Sequence, residues 1–139
     1  MTNNRNKLSE KDVCKLYAFL CEYEKDIKQN AGHYHIQDES VKTFLSKNSI
    51  FIGTMNKPTS RRNYIRYDLR SGKIVSLDDV GHHILRHIRN AIAHGMITKT
   101  NGPYFEFSDR SPKQTLTARA QIKVDLFWKL IDVIKQTDR

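Results

Sequence analysis

The sequence predicts a mainly α-helical protein, in which four main helices form a bundle with a small β-hairpin beside them. Apolar residues recur at three- and four-residue spacing in four separate stretches, which is the pattern of amphipathic helices. Asn101–Gly102 lies between two short β-prone runs, which is typical of a tight hairpin turn. The chain of 139 residues has the length of one domain, so we expect residues 1–139 to fold together, with residues 1–7 frayed.

The first two helices are predicted from their N-terminal caps and their apolar spacing. Ser9 caps a helix that we expect to run to about Gln29. Asp12, three residues later, takes the role that Glu or Gln has in a capping box. An apolar stripe broad enough for a central packing helix follows: Val13, Leu16, Tyr17, Leu20, Cys21, Tyr23 and Ile27. Asp38 begins a second helix, which ends at about Lys47.

The third helix is predicted over Ser76–Gly95, and the hairpin follows it. Ser76 is a favourable N-cap, and Gly95 is a natural left-handed residue for ending the helix. At about 100° per residue, Arg86 and Asn90 lie opposite the apolar stripe. The polar side chains away from that stripe are numerous: His83, Arg86, His87, Arg89, Asn90 and His94. A helix that only packs in a core does not need so many cationic groups on one side, so we expect it to present a site.

Residues 54–75 are predicted to form a basic insertion between the second and third helices. Its basic residues are close together: Lys57, Arg61, Arg62, Arg66, Arg70 and Lys73. Alternation over Tyr64–Leu69 favours a strand, followed by a turn at Ser71–Gly72. Basic residues interleaved with Tyr64 and Tyr67 can hold a phosphate backbone and stack bases. A solvated loop with both tyrosines in the core fits the same pattern equally well.

After the third helix, Met96–Lys99 and Tyr104–Phe107 are predicted to form the hairpin. Thr115 or Thr117 then opens the last amphipathic helix, which we expect to end at about Thr137.

The charge balance favours a polyanionic partner. The chain has 24 Lys and Arg against 15 Asp and Glu, for a formal net charge of +9. This excess suits nucleic acid better than a membrane, although a basic surface can also simply keep a protein soluble. No apolar run approaches the roughly 20 residues of a bilayer span, and the N-terminus has no apolar segment typical of a secretory signal. We therefore expect a cytoplasmic protein.

The two cysteines agree with a reducing compartment. Cys14 and Cys21 lie on the same face of the first helix and are roughly 10 Å apart along its axis. That separation is too long for a disulfide between them. We interpret both as small buried hydrophobic residues.

The sequence predicts no metal site and no cofactor. His33 and His35 form a His-x-His pair in a break between helices, and such a pair indicates a metal only when further ligands converge. His83 and His87 are spaced to share a metal, yet no third acidic or thiol ligand is evident near them. One of these two histidines lining a binding cleft is the alternative that we consider. The sequence has no Gly-rich phosphate loop.

The segment Arg89-Asn90-Ala91-Ile92-Ala93-His94 contains an Arg-x4-His spacing in a specific setting. It lies on an amphipathic helix, Asn follows the Arg, and Gly95 ends the helix. A hairpin, Phe107-Ser-Asp109 and a final amphipathic helix come after it. This combination resembles the HEPN superfamily. The resemblance implies an all-α bundle that dimerises with its Arg-x4-His helices facing each other.

The resemblance also implies an activity. Many HEPN proteins are metal-independent ribonucleases in toxin–antitoxin, abortive-infection and other phage-defence systems. Carried over by position, Arg89 and His94 would be the catalytic pair, and Asn90 the polar residue that often follows the arginine. The implied partners are RNA, a second copy of the chain and, in a toxin setting, an antitoxin protein. Our candidates for RNA contacts are Arg61, Arg62, Arg66, Arg86, His83 and His87.

The residue types suit that chemistry. Cleavage of RNA by its own 2′-hydroxyl needs one proton removed, another delivered to the leaving 5′-oxygen, and stabilisation of a more negative phosphorane. Histidine titrates near neutrality and can take either proton-transfer role, while arginine can bridge two phosphoryl oxygens. The alternatives are a non-catalytic dimeric RNA- or protein-binding module, and a structural role for Arg89 and His94 at a helix end that favours cations.

Overall fold

The structure is a computed structural model and describes residues 8–68, 80–100 and 103–138. Over these residues the chain forms four α-helices and a five-stranded mixed sheet, so the prediction of a mainly α-helical bundle is wrong. The helices are α1 (Glu10–Glu22), α2 (Glu39–Lys47), α3 (Val80–Ala93) and α4 (Val124–Lys135). The strands are β1 (Ile50–Thr54), β2 (Asn63–Tyr67), β3 (Ile97–Thr100), β4 (Tyr104–Arg110) and β5 (Leu116–Lys123).

The strands are arranged in the order β1-β2-β5-β4-β3. β1 and β2 are parallel, and the other neighbours are antiparallel. β2 therefore lies inside the sheet, between an edge strand and the central strand β5. The predicted strand over Tyr64–Leu69 is confirmed by β2 in its described part, and β2 places this part of the basic segment 54–75 within the sheet. Arg70, Lys73, the Ser71–Gly72 turn and the Ser76 cap lie outside the described residues.

The described helices cover one face of the sheet, and none of them covers the other, which we call the open face. On the covered face, alternate strand side chains are buried: Ile65, Tyr67, Phe105, Phe107, Ala118, Ala120 and Ile122. Phe127 of α4 packs edge-on against Phe105 and Phe107, with ring centroids 5.0 and 6.1 Å away. The side chains between them are half-buried or exposed: Tyr64, Arg66, Glu106, Ser108, Arg119 and Gln121. This is a two-layer arrangement of helices on a sheet.

The largest correction concerns the last predicted helix, which begins later than expected. Residues 116–123 form β5, and α4 starts only at Val124. Ala118, Ala120 and Ile122 all point into the core, which is the two-residue period of a strand. Two of these are alanines, which are equally good helix formers, so the tertiary position of β5 between two strands decides its conformation.

The start of the first helix is confirmed, and its end is not. The Ser9 hydroxyl accepts the Asp12 N–H at 3.0 Å, and the Asp12 carboxylate accepts the Ser9 N–H at 3.1 Å, which completes the capping box. The α-helix stops at Glu22, before the predicted Gln29. A π-helical turn, Tyr23–Ile27, and a 3-10 segment, Lys28–His33, continue the chain.

Part of the predicted apolar stripe of α1 is on the surface. Cys14 and Cys21 are exposed, so their interpretation as buried residues is wrong. Val13 and Tyr17 are also exposed, Tyr17 by 60%. α1 is buried along a narrower line through Leu16 and Phe19.

The hairpin after α3 is confirmed by the antiparallel pairing of β3 with β4. Its predicted turn, Asn101–Gly102, lies outside the described residues. No helix within the described ranges is long and apolar enough to cross a lipid bilayer.

Candidate functional site

α3 ends in a Schellman motif that leaves His94 at the surface. Gly95 has φ +67°, as its prediction as a left-handed helix end required. The Met96 N–H donates to the Ala91 carbonyl at 2.7 Å, and the Gly95 N–H donates to the Ile92 carbonyl at 3.1 Å. His94 is therefore the last residue before the chain turns away, and its side chain is exposed. The hydrogen bonds of this turn therefore fix the position of the His94 backbone.

A buried chain of hydrogen bonds runs behind His94, through the inner side of α3. Nδ1 of His87 lies 2.8 Å from Oδ2 of Asp109, and Nε2 of His87 lies 2.9 Å from Nε2 of His83. An Arg86 guanidinium nitrogen lies 3.3 Å from Nδ1 of His83. His83, His87 and Asp109 are all buried. The expectation that His83 and His87 lie on a polar flank of α3 is therefore wrong.

The partners of each ring set the direction of these hydrogen bonds. A carboxylate only accepts, so Nδ1 of His87 donates to Asp109, and Nε2 of the neutral ring is left as an acceptor. His83 then donates from Nε2 to His87. A guanidinium only donates, so Nδ1 of His83 accepts from Arg86. These three contacts are all made when both imidazoles are neutral.

The electrostatics favour the same neutral state. Burial, helped by the neighbouring His87 and Arg86, lowers the pKa of His83 to about 3. Burial also lowers the pKa of His87, against the opposing effect of Asp109. Burial alone would raise the pKa of Asp109, but hydrogen bonds from His87 and Asn90 outweigh it and the pKa falls below its ordinary value. The carboxylate therefore stays ionised beside two neutral rings.

Asp109 joins this buried chain to the motif residues. The Asn90 amide nitrogen donates to the same Asp109 oxygen at 3.1 Å. Oδ1 of Asn90 is thereby turned outward, where it accepts from the Arg89 guanidinium at 3.1 Å. Arg89 also donates from Nε to the Glu24 carboxylate at 2.8 Å. Arg89 is thus held between its own helix and the π-helical turn that follows α1.

The motif helix forms one wall of an open groove of about 590 Å³. From α3 and the turn that follows it, Arg86, Asn90, His94 and Met96 line this groove. The opposite wall is formed by β4, β5 and the segment between them, including Asp109, Arg110 and Thr117. An exposed imidazole, a guanidinium and an anchored amide therefore face one cavity, which is a suitable set for binding a phosphodiester.

A family model described as HEPN pEK499 p136 matches residues 3–137, nearly the whole chain. The chain belongs to this HEPN family. No curated protein and no solved structure matches it. The HEPN resemblance inferred from the motif is therefore confirmed, although the all-α fold that it implied is wrong for this member.

The candidate RNA contacts of this HEPN chain lie in separate places. Arg86 lines the groove with His94. Arg61 and Arg62 are exposed just before β2, and Arg66 is half-buried on the open face of the sheet. His83 and His87 are in the core, so we assign them to the buried chain of hydrogen bonds instead.

Both ring nitrogens of His87 are already occupied, one by Asp109 and the other by His83. A metal ion between the two histidines would need the room that their direct 2.9 Å contact takes up. Over the described residues, no group of three His, Cys, Asp or Glu side chains is arranged to hold a metal ion.

Sequence reasoning missed two residues that contact the motif, Asp109 and Glu24. A signal for Asp109 was present, because Phe105, Phe107 and Asp109 alternate and so share the buried face of β4. An acidic residue in the register of two core phenylalanines needs a buried partner. Glu24 had no such signal, since its pairing with Arg89 joins residues from two separate helical segments.

Proposed function

We propose that this HEPN protein is a metal-independent endoribonuclease that cleaves RNA through attack of a 2′-hydroxyl, in a toxin–antitoxin or phage-defence system. The observation that carries the proposal is that Arg86, Asn90 and His94 line the same groove. Family membership supports a HEPN module in general, and the groove supports the nuclease in particular.

The proposed roles follow from the chemistry of each group. His94 removes the proton of the 2′-hydroxyl or delivers a proton to the leaving 5′-oxygen. Arg86, which lines the groove, neutralises the charge that develops on the phosphorane. Arg89 does not line the groove, and it would join Arg86 on the phosphate only after leaving Glu24. Asn90 acts as a positioning residue, because its amide is held by Asp109 and its oxygen accepts from Arg89.

We further propose that two copies pair through the exposed end of α3. A single helix supplies only one such imidazole, whereas the reaction needs both an acid and a base. Ala93, His94, Gly95 and Met96 are all exposed in the single chain, and the small Ala93 permits close approach. Pairing about a twofold axis would bring the two His94 side chains to one phosphate.

The test is cleavage of RNA in EDTA by the wild type, by His94→Ala and by the control His33→Ala, which removes another exposed imidazole. We expect the wild type and the control to leave 2′,3′-cyclic phosphate ends and His94→Ala to lose activity. Unchanged cleavage by His94→Ala, or loss of wild-type cleavage in EDTA, would refute the proposal. Sedimentation of the wild type tests the dimer.

A non-catalytic binding module is the second candidate, and the ion pair between Arg89 and Glu24 favours it. Their 2.8 Å contact occupies part of the guanidinium that a nuclease would direct at phosphate. This candidate predicts that the wild type binds RNA without forming product, and that Arg61→Glu/Arg62→Glu weakens the binding.

A further inference from the structure

The open face of the sheet holds two arginines side by side. Arg66 of β2 lies directly opposite Arg119 of β5. Like charges in this position destabilise a sheet unless an anion lies between them. Arg66 reaches the Met55 carbonyl, but its Nε is buried without a hydrogen-bond partner in the part of the chain that the structure describes. Within the same residues, the Arg119 side chain has no hydrogen bond or ion pair.

The register of the sheet leads from this pair to the motif helix. Arg119 is opposite Ser108 of β4, and the Ser108 N–H donates to the Met96 carbonyl at 3.1 Å. Met96 lies two residues beyond His94. Because neighbouring strands are about 4.8 Å apart, the path from Arg66 to Met96 crosses roughly 14 Å of the sheet.

Two adjoining depressions follow the second half of this path. The first, of about 470 Å³, is lined by Arg119, Ser108, Arg110 and Met96 among others. The second is the groove of His94, and it shares both Arg110 and Met96 with the first. The two depressions therefore adjoin at Arg110 and Met96, between Arg119 on one side and His94 on the other.

Aromatic rings lie at the other end of the path. Phe51 of β1 is opposite Tyr64 of β2, and both side chains are half-buried on the open face. The Phe51 ring lies over Gly53, which is itself opposite Arg66. Cationic side chains beside rings on which bases can stack are the usual composition of a single-strand binding surface.

We propose that single-stranded RNA binds along this path, with its phosphates on the arginine row (Arg66, Arg119 and Arg110) and its chain leading to His94. This inference rests on the proposed function, because it supplies the binding track for that groove. Glu106, opposite Gln121 on the same face, also lines the first depression, so we expect the phosphates to lie on the Arg119 and Arg110 side of it. Domains specialised for double-stranded RNA span about 16 base pairs, which is far longer than the track.

The experiment measures how salt affects binding of a short single-stranded oligoribonucleotide whose 2′-hydroxyls are methylated, so that it cannot be cleaved. Arg119→Gln is compared with Lys129→Gln, which removes one exposed positive charge from α4. Loss of one phosphate contact should reduce the slope of log K against log salt by about 0.7 for Arg119→Gln. Lys129→Gln should keep the wild-type slope.

An unchanged slope in Arg119→Gln would overturn the inference, as would the absence of binding by the wild type. Equal, Arg119-dependent affinity for a duplex of the same sequence or for polyglutamate would overturn the assignment to single-stranded RNA. Cleavage separates this inference from the proposed function. If the wild type cleaves RNA and Arg119→Gln cleaves it equally well, the nuclease proposal stands and the binding track is wrong. If binding depends on Arg119 but the wild type forms no product, the binding track stands and the nuclease proposal is wrong.

Discussion

Oδ2 of Asp109 accepts hydrogen bonds from both His87, at 2.8 Å, and Asn90, at 3.1 Å. His87 belongs to the core and Asn90 to the groove, so one carboxylate oxygen connects the packing of α3 with the orientation of the motif. A change at Asp109 should therefore be felt in both stability and activity.

The first prediction is that Asp109→Asn lowers the free energy of unfolding by about 1–3 kcal/mol, because a buried hydrogen-bond acceptor with charge is lost. The amide that replaces it cannot accept from His87 and Asn90 with the same strength. Urea denaturation measures the change. Glu106→Gln is the matched control, since it removes a carboxylate from the open face of the same strand. Equal stability of Asp109→Asn and the wild type would contradict this role.

The second prediction concerns pH. The pKa of His83 is about 3 in the folded protein against an ordinary value of 6.5, and that of His87 is also lowered. Below pH 6.5 the unfolded chain binds protons at these rings that the folded chain does not. The stability is therefore present above that pH and is lost as the pH falls toward 3. Each ring contributes a slope of up to about 1.4 kcal/mol per pH unit.

Denaturation at a series of pH values between neutral and mildly acidic tests this. His83→Gln should flatten the pH dependence of the unfolding free energy, because it removes one of the two buried rings. His94→Gln removes an exposed imidazole from the same helix and serves as the control. A wild-type stability that rises on acidification would show that the buried histidines are charged.

The sequence predicted the end of α3 that carries His94, but not the sheet or the buried groups behind the groove. Ser9, Gly95 and the hairpin were predictable because caps and turns are set by local chemistry. β5 was not, since Ala118 and Ala120 satisfy a helix as readily as a strand until neighbouring strands surround them. His83 and His87 were read as surface groups because their buried partner, Asp109, is distant in the sequence.

The third prediction is that Glu24→Gln strengthens RNA binding by a few-fold, because it frees the Arg89 guanidinium and removes a negative charge beside it. The ion pair is partly exposed, so its loss should change the stability by at most about 1 kcal/mol. Fluorescence anisotropy with a labelled RNA measures the affinity. Asp132→Asn removes one negative charge from an exposed position on α4 and should have a smaller effect. Equal gains in both variants would mean that net charge alone is responsible.

The fourth prediction uses Gly32 and Gly95, the two among the described glycines at which an added Cβ would meet no atom within 4 Å. Gly95 alone of the two has a positive φ, at +67°. An alanine there must adopt the left-handed conformation, so Gly95→Ala should cost about 1–2 kcal/mol of stability, whereas Gly32→Ala should cost less. Since His94 precedes Gly95 directly, the strain should also shift the imidazole and reduce RNA cleavage. Thermal unfolding and cleavage rates of the two variants measure both effects, and equal behaviour of Gly95→Ala and Gly32→Ala would mean that the Schellman turn does not position His94.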